Sequence, residues 1–219
     1  MSRSARFITL TKELNRLKKQ FLPKINPTGI YSDRQLALTI AYRVLAHAEI
    51  EAYLEDRVKQ LAIDAKRDWD NQGKTSRTLL SLLAFSGEMM DVPPDTLSPV
   101  RGSKIVALER IKIDKKIDSA INCFIRTINQ NHDVKESNIL SLLLPIGIDS
   151  DNLDSALLAD LNTFGEQRGL VAHSSATSYR TRQPPDPADE LNRVQQITQG
   201  LLQIDELINT LIYSSRQGG

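Results

Sequence analysis

With one cysteine, three histidines, one tryptophan and three methionines among 219 residues, several chemistries lack their raw material. The lone Cys123 cannot close an internal disulfide, which excludes a disulfide scaffold and suits a reducing compartment. The histidines and the cysteine lie far apart in sequence, so no metal-ligand spacing exists and no metal is expected. No apolar run approaches the roughly 18 residues a membrane helix needs, so no membrane contact is expected. "MSRSARFITLTKELNRLKK" lacks the apolar stretch of a signal peptide, and the expectation is a cytoplasmic protein. An excess of one charge sign is missing too: 28 basic residues meet 27 acidic ones. That argues against binding bulk polyanions, though not against a local basic patch. "NQGKTS" at 71–76 holds only the final Gly-Lys-Thr of a phosphate loop and lacks its earlier glycine. No nucleophile elbow appears, and no cofactor is expected.

What is present is helical periodicity, in an ordinary soluble composition of 40% hydrophobic and 25% charged residues. Apolar residues recur at 3.6 rather than 2.0 throughout, which predicts an all-α bundle. A first helix is expected from about Ser4 to Lys19, with Phe7, Leu10, Leu14 and Leu17 on one face. Ser32 or Asp33 caps a second, long helix from Asp33 to about Asp70, a span without Pro or Gly. Shorter helices follow in "SRTLLSLLAFSG" and "ESNILSLLLPIGI", and longer ones over Lys104–Gln130 and from an Asp151 cap into "EQRGLVAHSS". A final helix carries Leu191, Val194, Thr198, Leu201, Asp205, Ile208 and Leu211 at near-heptad spacing. Residues 1–219 read as one helical domain, with 87–103 a Pro-rich loop or insertion and 176–187 a flexible loop.

Two stretches place a histidine shortly after an arginine: "RGLVAH", Arg168 to His173, and "RTINQNH", Arg126 to His132. Helical geometry separates them at about 100° per residue. With Leu157 at zero, Leu161, Phe164 and Val171 define a buried stripe, and Arg168 falls at about 20°, inside it. With Ile117 at zero, Arg126 falls at about 180°, facing water. An inward guanidinium needs a carboxylate, a wet cleft or an interface. The long helix offers a partner. With Leu36 at zero, His47 lies at about 20° and Glu51 at about 60°, both within the apolar stripe, while Glu49 lies outside it. A buried Arg–Glu pair that only sets helix register is the plain alternative to a functional cleft. Arg168 and His173 are about 140° apart on a straight helix. Either the helix ends or bends at Gly169, or the two side chains meet across a subunit boundary.

The Arg-x4-His pattern near the start of a late helix resembles the HEPN superfamily. "AYRVLAHAEIEAYLEDRVKQLA" is similar to the long acidic helix of the RiboL-PSP-type HEPN proteins. "LLLPIGIDSDNLDSALLADLNTFGEQRGLVAHSS" is similar to the segment leading into their motif. The resemblance implies an all-α HEPN fold and a metal-independent endoribonuclease acting as a toxin or in antiphage defence. It further implies Arg168, His173 and Glu51 as catalytic residues. His173 would be the base on a ribose 2′-OH, Arg168 the phosphate clamp, and Glu51 the residue orienting either. Tyr179, Arg180 and Arg182 are candidate RNA-binding residues beyond the motif, with His47 a helper or a satisfied core histidine. The implied partners are an RNA substrate, a second copy of the chain, and an antitoxin or defence-system protein. The final and motif helices are the candidate dimer interface. Gly169 stands where the family often has a polar residue. A non-catalytic HEPN scaffold that binds a partner protein or nucleotide is the alternative.

Overall fold

Five of the described helix starts place a small polar side chain, Ser4, Ser32, Ser76, Asp154 or Asp186, where it takes up free amides of the first turn. In a computed structural model, which describes residues 3–87, 105–173 and 185–217 (backbone alone at 105–111, 172–173 and 215–217), seven α-helices account for most of the described chain. Helix α1 covers Ala5–Phe21, with the Ser4 hydroxyl accepting from Phe7 N, and it buries Phe7, Leu10, Leu14 and Leu17 as the spacing predicts. Helix α2 covers Asp33–Gln72. Ser32 and Gln35 cap its start reciprocally, and Gly73 ends it with φ 65°. At 40 residues it is about 60 Å long.

Helices α3 (Arg77–Phe85), α4 (Ile105–Asn129) and α5 (Glu136–Leu143) follow, then α6 (Ser155–His173) and α7 (Pro187–Gln217). The start of α6 corrects the sequence reading. Asp151 lies in a 3-10 turn over Ser150–Asn152, and it is Asp154 whose carboxylate accepts from Ala156 N at 2.9 Å. Asp186 plays the same part for α7, accepting from Ala188 N at 2.7 Å, with Pro187 in the first helical position where a missing N–H costs nothing.

Helix α2 packs against all six others, and one apolar core runs through all seven. Helix α7 lays Val194, Ile197, Leu201, Ile204 and Ile208 into this core. Of the near-heptad stripe on this helix, Val194, Leu201, Asp205 and Ile208 are buried within the monomer, while Leu191, Thr198 and Leu211 are partly exposed. Two polar crossings interrupt the core. Arg43 of α2 grips Glu190 of α7 through Nε at 2.8 Å and through Nη2. Arg57 of α2 meets Asp205 of α7, its Nε 3.1 Å from Oδ1 as an ionic contact without hydrogen-bond alignment. Asp205 also accepts from Tyr53 Oη (3.0 Å) and from the Ser4 amide and hydroxyl (2.8 and 2.6 Å). These pairs tie both termini to the long helix. Among the described residues, no helix is long and apolar enough to cross a membrane.

Candidate active site

His47, Glu51 and Glu55 recur every fourth residue along α2, so they form one row on one face. That row meets the connection between α4 and α5. Asn131 donates to Glu55 Oε1 at 2.7 Å, and two residues later Asp133 Oδ1 lies 3.1 Å from His47 Nε2. His47 Nδ1 lies 3.5 Å from Glu51 Oε2. The imidazole thus has a carboxylate at each nitrogen. Asp133 is itself held in place. Its Oδ1 accepts from Val134 N at 2.8 Å, and its Oδ2 pairs with Lys135 Nζ at 3.1 Å.

Helix α6 closes the third side. Phe164 stacks obliquely on His47, with ring centroids 5.6 Å apart. Its neighbour Gly165 sits so near Asp133 that an added Cβ would lie 2.3 Å from Asp133 Oδ1. Only glycine admits this approach. One turn further along α6, Arg168 is half-buried, and its positive charge acts on both His47 and Glu51. Arg168 is half-buried, and Arg126 is exposed as the count around its helix predicts. Arg168 does not form the fully buried pair with Glu51 that was considered. The buried arginine–carboxylate pairs are Arg43–Glu190 and Arg57–Asp205.

Burial and charge shift the three groups in different directions. Burial lowers the His47 pKa, and the charges of Arg168 and Lys135 add to that against the pull of Asp133. Glu51 is raised above the ordinary carboxyl value, first by burial and then by Glu55, against Arg168 and His132. Burial would also raise Asp133, but hydrogen bonds from His47, Lys135 and Val134 outweigh it and hold that carboxyl low.

His47 is 1% exposed, so its ring offers no surface to a strand. The expected helper contact to RNA gives way to a role inside the cluster. Helix α6 runs unbroken through Gly169 to His173, so the helix does not end at the glycine. At about 100° per residue the backbone still places positions 168 and 173 about 140° apart. The His173 side chain, Tyr179, Arg180, Arg182 and nearly all of 176–187 lie outside the described residues, as do 88–103 of the Pro-rich loop. Sequence reasoning missed Asp133, Lys135 and Gly165. Asp133 directly follows the Arg126–His132 stretch set aside as a decoy, and nothing local marks it as inward. No group of metal-ligating side chains is present among the described residues.

No curated protein and no solved structure matches the chain. A sequence model of the family described as RiboL-PSP-HEPN matches residues 5–210, from the first residue of α1 to well inside α7. The chain is a member of the RiboL-PSP-HEPN family, all-α in fold.

Proposed function

We propose that this protein is a metal-independent endoribonuclease, a toxin or antiphage defence effector, acting as a dimer. The observation that carries the reading is Arg168, half-buried on α6 with its positive charge acting on Glu51 and His47, five residues before His173 on the same unbroken helix. HEPN membership raises ribonuclease chemistry above other activities for such a site.

The chemistry follows from residue types. His173 takes the proton of a ribose 2′-OH as general base. The 2′ oxygen attacks the neighbouring phosphorus as the P–O5′ bond breaks, and the leaving 5′ oxygen takes a proton from water, giving a 2′,3′-cyclic phosphate and a 5′-hydroxyl. Arg168 holds the phosphate with two parallel N–H donors and meets the charge that grows in the transition state. Glu51 orients Arg168. Tyr179, Arg180 and Arg182 extend the strand contact by stacking and phosphate pairing. The angular separation of Arg168 and His173 on a continuous helix favours sites composed of Arg168 from one copy and His173 from the other. An antitoxin or defence partner restrains the activity until it is needed.

The test is cleavage of RNA by the purified protein in EDTA. Wild type cuts RNA and leaves DNA intact, because DNA lacks the nucleophile. His173→Ala stops cutting while the circular dichroism spectrum is unchanged. Full activity in that variant, or absence of cleavage by wild type, overturns the proposal. The second reading, a non-catalytic scaffold, takes its support from the charge of Arg168 beside Glu51, which is also what a register-setting contact needs. It predicts no cleavage of any RNA and loss of stability on removing either residue.

A further inference from the structure

His47 presents a problem of proton counting. Its Nε2 lies 3.1 Å from Asp133 Oδ1 and its Nδ1 lies 3.5 Å from Glu51 Oε2, in a ring that is 1% exposed. A neutral imidazole carries one N–H and can answer only one carboxylate. The other nitrogen would then hold its lone pair 3.5 Å from a negative oxygen unless a second proton stands between them.

The contacts around the two carboxyls favour charge on Asp133 over Glu51. Asp133 has two stabilising neighbours besides the ring: the Val134 amide at 2.8 Å and Lys135 Nζ at 3.1 Å. Glu51 has a like charge in Glu55, one turn along α2. The directions of titration agree, with Asp133 held low and Glu51 pushed up. The groups facing the ring and its partners are Glu51 and Glu55 from α2, His132, Asp133 and Lys135 from the α4–α5 connection, and Arg168 from α6.

The geometry points to Asp133 as a positioning residue of the arginine site. It pins the His47 proton to Nε2, so that the bare Nδ1, 3.5 Å from Glu51 Oε2, favours a proton on that carboxyl when a phosphate arrives. The phosphate then meets a guanidinium with no bare negative charge next to it. Gly165 is the notch that admits Asp133 to this place. The step from proton to phosphate rests on the function proposed above, whereas the tautomer does not.

The experiment uses the full chain labelled with 15N-histidine and reads imidazole nitrogen–proton correlations at neutral pH. The His47 signals are identified by their loss in His47→Gln. Wild type shows the Nε2–H form of His47. Asp133→Asn retains it, because the Val134 amide keeps the side-chain oxygen turned toward Nε2. Asp133→Ala and Gly165→Ala shift the ring toward the Nδ1–H form. A second arm measures binding of a 2′-deoxy oligonucleotide by calorimetry at fixed pH. Asp133→Ala weakens it by about tenfold, the size of a like charge introduced near a partly exposed site, and Asp133→Asn stays close to wild type. An Nδ1–H ring in wild type overturns the inference on its own, with no variant required. Unchanged oligonucleotide affinity in Asp133→Ala overturns the link to phosphate. Absence of RNA cleavage by wild type removes the proposed nuclease and leaves the tautomer result to stand or fall by itself.

Discussion

Replacing Asp205 with alanine removes a fully buried anion where α1, α2 and α7 meet. Its carboxylate is fully buried, accepts from Ser4 N, Ser4 Oγ and Tyr53 Oη, and lies 3.1 Å from Arg57 Nε. Without it, the Arg57 guanidinium, whose side chain is 3% exposed, faces the uncharged Asn209 Oδ1 at 2.7 Å and Gln60 Oε1 at 3.5 Å. Removing one member of a buried ion pair costs about 3–5 kcal/mol, because the survivor keeps its desolvation penalty. A chain of this size loses about 2–4 °C in Tm per kcal/mol, so Tm should fall by about 6–20 °C. Thermal unfolding followed by circular dichroism, with urea midpoints as a check, measures this. Asp205→Leu combined with Arg57→Met should recover part of the loss, since no charge is then stranded. Recovery stays incomplete because Tyr53 and Ser4 lose an acceptor, at about 1–3 kcal/mol for each buried group. Asp56→Ala, at an exposed pair with Arg6, serves as control and should change stability by less than about 1 kcal/mol. An Asp205→Ala variant within about 1 kcal/mol of wild type would refute the claim that the buried charge network anchors both termini.

Two further outcomes follow from the site. If it is shared between copies, Arg168→Ala and His173→Ala proteins, each inactive alone, should regain part of wild-type RNA cleavage when mixed and allowed to exchange subunits; no recovery in verified mixed dimers would place the whole site in one chain. The pH dependence of stability separates His47 from Glu51. The lowered His47 pKa gives stability that is present above its unfolded value of 6.5 and is lost as pH falls below that. The raised Glu51 pKa works oppositely, giving stability that is full below 4.5 and lost as pH rises through the folded value. Between 6.5 and 4.5 the two oppose each other, so Glu51→Gln should steepen the loss of unfolding free energy on acidification, and an unchanged slope would contradict the assignment.

Local information was enough for α1 and α2 because each carries its own start signal and apolar period. Ser32 with Gln35, the 40-residue span free of Pro and Gly, and Gly73 define α2 without reference to any other segment. The outward turn of Arg126 was legible for the same reason, since the angle around a helix depends only on residue number. The row of His47 and Glu51 on α2 belongs to this class too. Arg43 could have been found by the same count, at about 340° from Leu36. Asp205 was visible within the α7 stripe, but its partner was not.

Pairing between helices is where the sequence stops. The identity of the partner for an inward charge depends on how helices cross, and crossing is decided by packing across 86 to 152 residues of chain separation. So Arg168 was matched with a buried Glu51, whereas the structure sinks Arg43 and Arg57 against Glu190 and Asp205 and leaves Arg168 half-buried. Asp133 shows the same limit most clearly. It sits in an irregular connection with no period to read, and it becomes part of the site only because Gly165 lets α6 approach and His47 is waiting on α2. Membership of an all-α family and the direction of each helical side chain were properties of the chain alone; the proton on His47 belongs to the tertiary structure, because it is set by two carboxylates from different segments brought to one ring.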